Sequence, residues 1–162
     1  MESITLKHIL GKELGSHRII VVYDNDMGTV DRLKLSYPKE LRKHERIVCN
    51  VMDDKRKLNK TVSEGYENGR SYIIGVAYEC YKAFHLPLDP LIRNVASCNI
   101  FMHGAPVDNV WMLKHFWNYY GGIFPYVKIF MDFFKGIVKN GVALVLLRND
   151  SHQFTDKVKW MN

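Results

Sequence analysis

The chain reads as an α/β protein, with a mostly parallel sheet of about four to five strands and helices on both faces. Three observations carry that expectation. Short runs such as Arg18 to Tyr23 (RIIVVY) and Ser71 to Tyr81 (SYIIGVAYECY) are apolar without alternation, the pattern of strands covered on both sides. Segments with apolar residues at helical spacing separate these runs. Strands that alternate with helices imply parallel pairing through right-handed crossovers.

The elements follow in order. Glu2 to Ser16 spaces Leu6, Ile9, Leu10 and Leu14 on one helical face, with Gly15 as a stop. The RIIVVY strand closes on the turn Asp24 to Gly28 (DNDMG). A basic helix is expected around Pro38 to Arg46 (PKELRKHER), started by Pro38, and then a short strand Ile47 to Met52 that ends on Asp53 and Asp54. Lys60 to Arg70 reads as a short helix closed by Asn68-Gly69. A loop with a helical turn from Lys82 to Asn94 leads to a fourth strand at Ser97 to Gly104. Two aromatic-rich helices, one of them expected to leave an apolar stripe exposed, precede a buried strand at Val142 to Asp150. The tail, 151–162, is expected to be irregular, and residues 1–162 to form one domain.

With 162 residues, 47% of them apolar and 12% aromatic, the chain has the material for a folded core and not for a disordered segment. No run approaches the ~20 apolar residues of a membrane span, and the N-terminus lacks a signal-type apolar core. A protein kept inside the cell is therefore expected. The three cysteines, Cys49, Cys80 and Cys98, are widely spaced within apolar segments and read as buried thiols.

A net charge of +6 favours a polyanionic partner. The excess is concentrated in Lys39, Arg42, Lys43 and Arg46, and again in Lys55, Arg56, Lys57 and Lys60, candidate contacts to nucleic acid. Paired acids supply two more candidate sites. Asp24 and Asp26 follow a strand and could share a divalent cation in a phosphohydrolase or nuclease. Asp53 and Asp54 close an apolar run in the manner of a Walker B segment, in which carboxylates hold Mg²⁺ and polarise water.

Downstream of that pair the chain carries Gly69-Arg70, the strand Ile73 to Tyr78, Phe84, Leu86-Pro87 and Arg93-Asn94. In this order and near-spacing it resembles the DNA-packaging ATPases of poxviruses and other large DNA viruses, a branch of the FtsK–HerA group of P-loop ATPases. The resemblance implies an ATPase-like core acting in genome packaging and virion assembly, at an assembly site in the host cytoplasm or in the virion. It also implies double-stranded DNA and other ATPase or virion subunits as partners, with Arg70 and Arg93 as arginine fingers or sensors. The departures are specific: Ser71 replaces a family histidine, no glutamine stands near Glu79 to Tyr81, and GxxxxGK[ST] is absent. That loop precedes, in the family, the helix leading into RIIVVY, so the chain is expected to begin just after it. Mg²⁺ and ATP are then expected only if another chain supplies the loop, with no autonomous hydrolysis. The alternative is a non-enzymatic viral or mobile-element protein that binds nucleic acid.

Overall fold

The computed structural model describes residues 11–84, 86–120, 124–148 and 154–161. Six strands form one sheet: β1 (Ile19–Tyr23), β2 (His44–Cys49), β3 (Ser71–Val76), β4 (Cys98–Phe101), β5 (Ala143–Arg148) and β6 (Phe154–Met161). Their order across the sheet is β2-β3-β1-β4-β5-β6. β1 lies between β3 and β4 and is parallel to both, from Ile19↔Tyr72 to Tyr23↔Val76 on one side and Ile20↔Cys98 to Tyr23↔Phe101 on the other. β2 is parallel to β3 and forms one edge, whereas β5 and β6 are antiparallel additions. The fold class is therefore the expected one. The tail, expected to be irregular, contributes β6.

The helices are α1 (Gly28–Ser36), α2 (Lys55–Glu67), α3 (Pro90–Val95), α4 (Val110–Tyr120) and α5 (Val127–Asn140). Short 3₁₀ segments of six and seven residues occupy Gly11–Ser16 and Tyr78–Phe84. The helix expected over the first sixteen residues is thus a 3₁₀ turn where it can be seen, and its first ten residues lie outside the described ones.

All five β1 residues are buried, and the pleat sends them to two different cores. Ile19, Val21 and Tyr23 face the layer built by α2, α3, α4 and α5, where Val62, Ile92, Phe116 and Phe134 pack. Ile20 and Val22 face Leu14, Val30, Leu33, Tyr37 and Leu41, contributed by the first 3₁₀ turn, α1 and the segment after it. Burying each such side chain contributes roughly 1.5–3 kcal/mol before chain entropy is charged against it. Gly75 lets α1 lie close on the sheet, because a Cβ there would stand 2.7 Å from Val30 Cγ2.

Two expectations are corrected here. The basic helix placed at Pro38 to Arg46 is absent; the helix lies at Gly28–Ser36 and stops before Tyr37-Pro38, because a residue preceding proline avoids the helical region. Residues 38–43 form turns anchored by buried Leu41. β2 accordingly begins at His44 and ends at Cys49, and not at Met52. Polar Glu45 and Arg46 are tolerated inside it because an edge strand has one wet side. On α5 and just before it, Ile129 and Tyr126 are exposed.

Candidate functional site at the strand ends

Ligand sites in parallel α/β sheets lie beyond the C-terminal strand ends, at the point where neighbouring connections diverge. In this sheet β1 connects through α1 toward β2, while β4 connects toward β5 in the opposite direction. The switch point therefore lies between the ends of β1 and β4. Its rim is the loop Asp24 to Met27 on one side and His103-Gly104 on the other, tied by Asn25 Nδ2 donating to the Gly104 carbonyl at 3.2 Å. Beneath it the core is aromatic: buried Tyr23 stacks on Phe101 with ring centroids 4.6 Å apart, and Phe116 meets both rings edge-on. Tyr78 donates its hydroxyl to the Met102 carbonyl at 2.7 Å, and burial beside Asp24 pushes that phenol well above its ordinary range.

A strand, a loop and a helix N-terminus meeting at a switch point is the arrangement in which phosphate cradles form. This loop fills the cradle with its own acids. Asp26 Oδ1 accepts the Gly28 N–H at 2.8 Å, and the Asp26 carbonyl accepts the Thr29 N–H at 3.3 Å. Asp24 accepts the Asp26 N–H at 3.3 Å through Oδ1 and the Thr29 hydroxyl at 2.5 Å through Oδ2. The Gly28 and Thr29 N–H groups that would hold an anion are engaged, and two negative charges stand beside them. The Gly28 N–H and then the Arg32 guanidinium hold the Asp26 carboxyl below its usual range, so it stays ionised. A triphosphate does not fit this loop.

A shared divalent cation at Asp24 and Asp26 fits no better. Arg32 already occupies the outer face of Asp26 at 2.9 Å and donates to Thr29 Oγ1 at 2.8 Å. Among the described residues no three His, Cys, Asp or Glu side chains converge on one point.

Asp53 and Asp54 do not end the strand directly, because β2 stops four residues earlier, at Cys49. Asp53 closes a turn back onto the strand end: its Oδ2 accepts the Asn50 N–H at 2.8 Å, and its own N–H donates to the Asn50 carbonyl at 3.2 Å. Asp54 is the N-cap of α2, with Oδ1 accepting from Arg56 and Lys57 N–H at 3.1 and 3.3 Å. The pair also lies two strand spacings from β1, about 10 Å across the sheet.

The arginines lie elsewhere. Arg70 follows Gly69, whose φ of 84° needs a glycine, and precedes β3, so it sits at the opposite end of the strands, roughly 20 Å from the acids. There it pairs with Glu45 at 3.3 Å, while its carbonyl accepts from Arg18 at 3.0 Å. Arg93, expected to reach toward a neighbour, is 5% exposed. Its guanidinium lies 4.0 Å over the Tyr119 ring and donates to His115 Nε2 at 3.1 Å. Burial, and then the Arg93 charge, hold the His115 pKa at about 4, so the ring is the neutral acceptor this bond requires. Arg93 is an internal cation and cannot act as a finger from this position.

Comparison of the chain with known proteins found no matching family model, no matching curated protein and no matching solved structure. The site therefore rests on its geometry.

The basic residues form two separate groups. Lys39, Arg42 and Lys43 precede β2, and Arg46 within it pairs with Asp31 at 2.6 Å. Lys55, Arg56, Lys57 and Lys60 lie on the first two turns of α2, beyond the other end of β2. All eight except half-buried Lys55 are exposed. The three cysteines are buried free thiols, and Cys80 Sγ lies 3.4 Å from the Cys49 carbonyl.

Several working residues escaped the sequence reading. Thr29 and Arg32 are the donors to the loop acids, Thr29 to Asp24 and Arg32 to Asp26, and their spacing on α1 is visible only once that helix is placed correctly. Buried Asn59 joins α2 to the Leu86-Pro87 segment: Nδ2 donates to the Pro87 carbonyl at 3.0 Å and Oδ1 accepts the Asp89 N–H at 2.8 Å. A lone asparagine in a basic helix gave no signal of that kind.

Proposed function

We propose that this chain is a non-hydrolysing relative of the viral genome-packaging ATPases, acting in virion assembly through binding to DNA or to motor and virion subunits. The sequence of Asp53-Asp54, Gly69-Arg70, Leu86-Pro87 and Arg93-Asn94 supports the kinship. One observation supports the absence of turnover: the loop at the switch point satisfies the α1 N-terminus with Asp26 and pairs that acid with Arg32. Coulomb repulsion from Asp24 and Asp26 opposes a triphosphate where a phosphate loop would attract one.

The test is titration calorimetry with ATP and Mg²⁺, alongside a phosphate-release assay. No binding heat and no turnover are expected from the chain alone. Mg²⁺-dependent hydrolysis that Asp53→Asn abolishes would overturn the proposal.

A second reading, nucleic-acid binding without enzymatic activity, draws on the exposed basic groups. Of their eight side chains only Arg46 and Lys60 form ion pairs with carboxylates among the described residues, the latter at 4.0 Å. The rest are available to phosphates. Among the described residues no helix is long and apolar enough to cross a membrane.

A further inference from the structure

We propose that the outer edge of β2 is a docking site for an extended, acidic segment of a partner protein, which adds to the sheet as a further strand. The backbone directions carry the first part of the argument. Cys49 presents its carbonyl to β3, where it accepts the Ala77 N–H at 3.3 Å. By the period of two, Ile47 and Glu45 also face β3, and His44, Arg46 and Val48 face outward.

The chain closes this edge at both ends and leaves its middle open. His44 N–H donates to the Leu41 carbonyl at 3.1 Å, and its carbonyl accepts from Lys34 Nζ at 2.5 Å. At the far end the Asp53 carboxylate and N–H hold both backbone groups of Asn50. What remains is a window of two residues, Arg46 and Val48, whose two N–H donors and two carbonyls have no bond among the described residues. Unpaired edges of this kind template strand addition.

The surroundings select the occupant. Beside the window runs a groove of about 450 Å³ lined by Ile47, Val48, Asp53, Asp54, Lys57, Leu58 and Thr61, with half-buried Ile47 and Leu58 offering apolar contact. One side chain of an added strand would enter it. Lys39, Arg42 and Lys43 flank one end of the strand and Arg56 and Lys57 the other, all exposed. A second copy of the chain would bring the same positive charge to both ends, so complementarity favours an acidic segment with an apolar middle. Nucleic acid would use the cations and leave the backbone window and groove unfilled. The inference does not depend on the kinship with packaging ATPases.

The probe is a pool of nine-residue peptides with Asp or Glu at both ends and alternating Val and Thr between, titrated into the full chain. Binding is expected below about 1 mM. Val48→Pro removes an outward N–H without touching a ladder bond, a place where edge strands accept proline, and should weaken binding about tenfold. Should that variant misfold, amide exchange on the unaltered chain decides. Arg46 and Val48 amides should slow on peptide addition, while Ile47, already bonded to β3, stays unchanged. Binding indifferent to Val48→Pro in a folded variant would overturn the proposal, as would no binding from the pool. So would equal protection by duplex DNA, or protection by self-association without peptide.

Discussion

At the scale of single residues, the Arg93–His115 pair is the feature with the clearest solution signature. The folded chain keeps His115 neutral down to about pH 4, whereas an unfolded chain protonates it near 6.5. Between those values the unfolded state binds the extra proton. Stability from this group is therefore complete above about pH 6.5 and is lost as pH falls toward 4. The effect is at most roughly 3 kcal/mol, and less because the ring is only half-buried. His44 is depressed in the same direction by burial, so it contributes a parallel loss. His115→Gln keeps an acceptor for Arg93 without the titration. Urea midpoints between pH 4 and 7.5 should show a shallower acid loss for that variant, with the remainder due to His44. An unchanged slope would mean that His115 titrates normally.

At the scale of elements, the assignment of Asp53 and Asp54 to a turn and a helix cap makes a prediction that a catalytic role does not. Asparagine caps helices as well as aspartate does, and alanine does not. Asp54→Ala should lower stability by about 1 kcal/mol, while Asp54→Asn should be within a few tenths of the parent, both read from thermal or denaturant midpoints. Equal destabilisation by the two would show that the charge, and not the cap, matters. The same elements explain what was legible beforehand. RIIVVY and SYIIGV announced themselves because strands buried on both faces have nothing polar to hide them. β2 was displaced by three residues because its first half, His44 to Arg46, is polar, and only an edge position permits that. The acids at positions 53 and 54 stand out in the sequence as strand-end ligands, but the three residues between Cys49 and Asp53 make them local backbone acceptors. The closing of the β1–α1 loop by Thr29 and Arg32 was not readable, since it needed a helix that local charge patterning had placed ten residues later.

For the whole molecule, the question is how a net charge of +6 is arranged. The sheet separates the two basic groups by the length of β2, roughly 20 Å, so no single compact patch forms. If duplex DNA touches both groups, anisotropy titrations should show log affinity falling steeply with log salt. Replacing Lys39, Arg42 and Lys43 by Gln should lower that slope by about one unit for each phosphate no longer neutralised. An affinity indifferent to salt would remove nucleic acid from consideration. The sheet also has an inner division of labour. Its α1 face is a compact cluster of aliphatic side chains with Tyr37, whereas the opposite face carries the buried aromatic core. Asn59 links the second of these layers to the chain between β3 and α3. Through it, α2 and residues 87–89 share buried hydrogen bonds that water would have to replace together. The amides of α2 around Asn59 and that of Asp89 should consequently exchange with one common opening energy, and Asn59→Ala should split them into two populations, the loop becoming the faster.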